Sequence, residues 1–113
     1  MESSEQTNIP QKINNKEIVT LYEAILLLES VEECEAFFND LCTPSENRSL
    51  GERWLVAQLL AEKKFAYRKI HEETKVSVAT ITRVARFLSH EKNGGYRSMM
   101  EKIKEQFAKK NDN

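Results

Sequence analysis

The residues best placed for chemistry lie in one run: Ala66-Tyr67-Arg68-Lys69-Ile70-His71-Glu72-Glu73-Thr74-Lys75-Val76-Ser77-Val78-Ala79-Thr80-Ile81-Thr82-Arg83-Val84-Ala85-Arg86. It combines cations, small methyl groups and hydroxyls at helical spacing. Ile70, Val76, Ile81 and Val84 or Ala85 are spaced to lock two helices together across a short turn, Thr74-Lys75-Val76. Ser77 suits the N-cap of the second helix. Val78, Ala79 and Thr80 follow it and are small, so that helix end can approach a base edge unobstructed. The positive end of the helix dipole would then face phosphates. This is the pattern of a helix-turn-helix, over about residues 66–89. In such motifs the second helix enters the major groove and the first crosses the backbone.

Roles follow from side-chain chemistry. Val78 and Thr80 offer methyl contacts to thymine, and the hydroxyls of Thr80 and Thr82 can bond bases or phosphates. Tyr67, Arg68 and Lys69 start the first helix, placed for phosphates or a flanking base. Arg83 and Arg86 lie a turn further along the reading helix, toward the backbone. The candidate DNA-binding set is Tyr67, Arg68, Lys69, His71, Ser77, Val78, Ala79, Thr80, Thr82, Arg83 and Arg86. Two positions depart from the usual pattern. Lys75 stands where such turns favour glycine, and a left-handed lysine costs about 1 kcal/mol. His71 stands where many such motifs keep alanine for close helix approach; it reads as a surface or backbone-contacting side chain.

Charge supports a polyanion partner. The net charge of −1 over 113 residues conceals two opposed halves. Residues 1–62 carry 4 basic and 12 acidic side chains, a net of −8, and residues 63–113 carry 13 basic and 6 acidic, a net of +7. The motif lies in the basic half, the half a nucleic acid would meet.

The elements that must position this run are helices throughout, because only three glycines and two prolines interrupt the chain and β-branched alternation is absent. The expected domain is one helical unit over 13–110, after a disordered polar lead-in over 1–12. A first helix is predicted over about 15–29, with Ile18, Leu21, Tyr22, Ile25 and Leu28 on one face, broadened by Val19, Leu26 and Leu27. Ser30 and Glu33 form a capping box for a short second helix offering Val31, Phe37, Phe38 and Leu41. Thr43-Pro44-Ser45-Glu46 starts a third, running to about Lys63 and burying Leu50, Trp54, Ala57 and Leu60 or Leu59. Gly94-Gly95 breaks the chain before a last helix, about 96–109, with Met99, Met100, Ile103 and Phe107. The first helix is too apolar for so small a monomer to cover, so a homodimer with intertwined N-terminal helices is expected.

Several function classes are disfavoured. No apolar run approaches the roughly 20 residues a membrane-spanning helix needs, and the N-terminus lacks a secretory layout; the expected location is the cytoplasm. Cys34 and Cys42 read as buried free thiols in a reducing compartment, and His71 and His90 lie far from both, so no metal or cofactor is expected. No Gly-rich phosphate loop, paired carboxylates or nucleophile set suggests an enzyme. The alternative class is a protein–protein adaptor using the apolar N-terminal face, without DNA binding.

From Leu41 to Arg97 the chain resembles the tryptophan-repressor family, especially its YerC/YecD-like branch. The likeness rests on Thr43-Pro44-Ser45-Glu46, Leu50-Gly51-Glu52-Arg53-Trp54, Ala79-Thr80-Ile81-Thr82-Arg83 and, for the branch, Gly94-Gly95-Tyr96-Arg97. The resemblance implies an all-α fold of six helices per subunit, an intertwined homodimer, and an operator read by two heads about 34 Å apart. It also implies a ligand slot in which two arginines sandwich the corepressor indole. Arg53 and Arg83 stand at the matching positions, and Thr43 is kept. Val84 and Phe87 replace the glycine and serine lining that slot, and Asp40 and Cys42 replace nearby leucines. Phe87 is about the size of a ligand ring. The slot is therefore expected to be occluded by the chain's own side chains, and free tryptophan is not expected to control the protein.

Overall fold

The computed structural model describes residues 9–11 and 17–111, so most of the lead-in expected over 1–12 lies outside the described residues. Among the described residues six helices follow in order: α1 (Leu21–Ile25), α2 (Val31–Leu41), α3 (Pro44–Ala61), α4 (Tyr67–Thr74), α5 (Val78–Ser89) and α6 (Gly95–Asn111). Among the described residues there is no strand. The chain divides into two units at Pro44, the first holding α1 and α2, the second holding almost all of α3 together with α4 to α6.

In the first unit, α1 is far shorter than the predicted 15–29. Its start is fixed by a capping box that the sequence reading missed. The Thr20 hydroxyl accepts from the Glu23 N–H, and the Glu23 carboxylate accepts from the Thr20 N–H at 2.8 Å. That bond from the Thr20 N–H, and a second from the Thr20 hydroxyl at 2.8 Å, favour the charged form and hold the Glu23 carboxyl below its ordinary range. At the other end the ladder tightens, with Leu27 and Leu28 donating to Ala24 and Ile25 three residues back. Leu26 and Leu27 are 85% and 71% exposed, so no packing extends a segment too short to propagate alone. Ser30 then caps α2 as expected, accepting from the Glu33 N–H at 3.0 Å. The Glu33 carboxylate reaches the Glu29 N–H rather than that of Ser30. Phe37 and Phe38 meet edge to face, 5.8 Å apart.

The second unit has the core: Val56, Ala57, Ile70, Val76, Ile81 and Val84, with Trp54, Leu59, Leu60, Tyr96 and Met100 packed against it. Leu50, expected inside, is 42% exposed, and Val56 takes its place at 0%. Apolar residues occur on every side of α3, so spacing could not choose which face turns inward. The helix stops at Ala61 and Lys63 turns left-handed at φ 60°. Gly94 is also left-handed, at φ 72°, a conformation that suits glycine, and it leads into α6. Tyr96 stacks on Trp54 with ring centres 6.3 Å apart, and Arg97 Nη1 donates to the Leu88 carbonyl at 2.8 Å, near the end of α5. The Gly-Gly-Tyr-Arg run thus closes α6 onto α3 and α5. No helix is long and apolar enough to cross a membrane among the described residues.

Candidate nucleic-acid interface

The turn between α4 and α5 is built by side chains where many such turns use a glycine. Lys75 caps α4 with φ 66° and ψ 7°, the predicted left-handed conformation, and donates its N–H to the His71 carbonyl at 2.9 Å. The Thr74 hydroxyl donates to the Ile70 carbonyl at 2.6 Å and accepts from the Val76 N–H at 3.1 Å. His71 Nδ1 lies 2.7 Å from the Val76 carbonyl oxygen. A carbonyl can only accept, so Nδ1 carries the proton. His71 is therefore the strap across the turn, which explains a bulky ring at a position where alanine is usual. Lys75→Gly is expected to stabilise the fold by up to about 1 kcal/mol, because the left-handed strain disappears. Urea denaturation measures this; an unchanged or lower midpoint would show that the turn carries no such strain.

Ser77 caps α5, accepting from the Thr80 N–H at 3.1 Å. No acidic residue stands in the first turn of α5, so the helix's positive end is uncompensated. At about 100° per residue, Val78, Thr82, Arg86, Ala79 and Arg83 fall within an arc of about 140°. All five are exposed, Val78 at 52%, while Ile81 and Val84 point into the core on the opposite side. Thr80 lies about 60° outside this arc, half-buried, its hydroxyl accepting from that of Ser77 at 3.0 Å. The reading helix thus presents its first two turns outward.

The cations differ in what already holds them. Arg68 pairs with Glu72 at 3.4 Å and Lys69 with Glu73 at 3.3 Å, both exposed pairs one turn apart on α4. Arg86 pairs with Glu91 at 2.6 Å. Arg83 has no carboxylate partner among the described residues; its guanidinium lies over the Phe87 ring, 4.5 Å from the centroid. Lys75 likewise has none among the described residues, and it sits exposed just before the reading helix. Sequence reasoning treated Lys75 only as a misfit in the turn, although a basic residue two positions before the N-cap Ser77 was a usable signal. Tyr67 is 44% exposed at the start of α4.

Of the residues expected around a ligand slot, Arg53 is half-buried on α3. Val84 is turned into the core at 1% exposure. Phe87 is half-buried and is the ring that meets Arg83. Thr43 belongs to the first unit. Among the described residues no cluster of three or more His, Cys, Asp or Glu side chains could hold a metal ion, and Cys34 and Cys42 are free thiols, half-buried.

Helices α4 and α5, with the left-handed turn between them, form a helix-turn-helix carried on an all-helical fold of the DNA-binding regulator type. The family model described as Trp repressor protein matches residues 16–104. The uncharacterized protein YerC of Bacillus subtilis (strain 168) is 44% identical over 94 residues, covering 83% of this chain and 88% of that protein. The chain belongs to the Trp repressor protein family, in its YerC-like branch. Two crystal structures have similar folds, each with a TM-score of 0.69. One, described as a candidate Trp repressor from Staphylococcus aureus, is 40% identical and covers 74% of this chain and 82% of that one. The other, a TrpR-like protein from Eubacterium eligens ATCC 27750, is 42% identical and covers 74% and 84%.

Proposed function

We propose that the protein is a sequence-specific DNA-binding transcriptional regulator, a cytoplasmic repressor acting as an intertwined homodimer. On this reading one helical DNA-binding domain spans 13–110. The observation that carries the reading is the outward arc of Val78, Ala79, Thr82, Arg83 and Arg86 on α5, behind an uncompensated helix N-terminus. Val78 and the Thr80 methyl meet thymine, the Thr80 and Thr82 hydroxyls bond bases or phosphates, Ala79 allows close approach to base edges, and Arg83 takes phosphate. Tyr67, Arg68, Lys69, Lys75 and Arg86 hold the flanking backbone, Ser77 presents the helix end, and His71 fixes the turn.

The dimer is supported by the apolar side chains left outside: Leu26 at 85%, Leu27 at 71%, Val31 at 69% and Leu41 at 50% exposure. A chain of this size rarely leaves such a set in water. The absence of tryptophan control is supported by Phe87, whose ring already lies against Arg83, the arginine at the slot position.

Selection of bound duplexes from a random pool, with and without L-tryptophan, tests these points together. Sites of two-fold symmetry are expected, with half-sites about one helical turn apart, at equal yield in both arms. A pool with no enriched sequence would overturn sequence-specific binding, and enrichment only with tryptophan would overturn the independence from it.

A further inference from the structure

On α5, Phe87 stands one turn after Arg83 and directly after Arg86. Its ring lies 4.5 Å from the Arg83 guanidinium carbon and 5.7 Å from that of Arg86. Side chains on a helix lean back toward its N-terminus, so a ring at position i covers the residue four before it. Arg86 is held on its other side by Glu91 at 2.6 Å, whereas Arg83 has only the ring among the described residues. A guanidinium held over a ring, with no carboxylate on its N–H groups, keeps donors free for a phosphate oxygen. An unstacked arginine on an exposed helix face samples many rotamers and must surrender that freedom on binding.

We infer that Phe87 is a positioning residue for DNA binding: a stacking platform that holds Arg83 extended across the phosphate-facing side of α5 before a duplex arrives. This inference rests on the proposed DNA-binding function and adds the device that orders its least encumbered arginine. Phe87 is half-buried and touches no DNA itself. Its contribution passes wholly through Arg83.

The test is a double-substitution cycle on the full chain, measuring affinity for a mixed-sequence duplex over a range of KCl concentrations. Phe87→Leu is expected to weaken binding about two- to fivefold per protomer, the scale of an exposed cation–π contact. It should lower the salt slope toward that of Arg83→Ala, by up to about one unit for each protomer. Phe87→Tyr keeps the ring and should retain wild-type affinity and slope, and in an Arg83→Ala background Phe87→Leu should cause no further loss. An equal loss with and without Arg83, or no loss at all, would overturn the inference while leaving the DNA-binding reading intact. Failure of the wild-type chain to retain duplex at low salt would overturn that reading itself. Nuclear magnetic resonance of the free wild-type chain supplies a readout that needs no variant to fold. The Arg83 side-chain protons should be shifted upfield by the ring, and ordinary shifts would overturn the inference.

Discussion

Val78→Glu is expected to abolish retention of duplex DNA while leaving the chain folded. Val78 is 52% exposed, so the change removes no core contact. A carboxylate in the first turn of α5 also complements the helix dipole, so stability should hold or rise slightly. The same carboxylate would face phosphates and remove a methyl contact, a loss of about 1–3 kcal/mol at each reading head. Two heads together weaken the complex by on the order of a hundredfold or more. Mobility shift beside a thermal melt separates the two effects. Undiminished affinity would remove the first turn of α5 from the interface.

Ile81→Ala, only three residues away, should do the reverse and act on the fold. Ile81 is 0% exposed at the centre of the cluster that joins α3, α4 and α5. Truncating a buried isoleucine costs about 2–5 kcal/mol, counting lost transfer energy and the cavity left behind. Small domains have about 5–15 kcal/mol of stability in total, so the variant should melt many degrees lower. Thr82→Ala, exposed beside it, is the control and should melt almost unchanged. Urea unfolding of both checks this; a small loss at Ile81 would mean that the core re-forms around the gap.

These two residues show why the helix-turn-helix was legible. Its locks, Ile70, Val76, Ile81 and Val84, and its cap, Ser77, are local features whose spacing alone sets two helices across a turn. The structure buries all four locks and uses that cap. The Ser30 cap and the Thr-Pro-Ser-Glu start of α3 were legible for the same reason. Choices made by tertiary packing were not. Leu50 and Val56 are equally apolar, and only the arrival of α4 and α5 decides that Val56 goes inside. The apolar stripe of the first helix read as a long element, yet with Leu26 and Leu27 exposed it gains no burial to extend it beyond Ile25. His71 could be recognised as unusual, but its strap to Val76 depends on how the turn closes in three dimensions. In the candidate site, residue identities were readable, whereas their ion pairs were not. Arg68, Lys69 and Arg86 each have a carboxylate within reach, and Arg83 has a ring.

The pairing on α4 bears on how such a regulator would find its site. Arg68 and Lys69 are each partly neutralised by a glutamate one turn away before any polyanion approaches. A weaker grip on arbitrary sequence follows, since a phosphate contact by either of these two side chains must first displace a local partner. On the proposed function, a regulator so arranged would let go of wrong stretches quickly and dwell where base edges fit α5. Removing Glu72 and Glu73 would trade that discrimination for indiscriminate adhesion and a slower search along the genome.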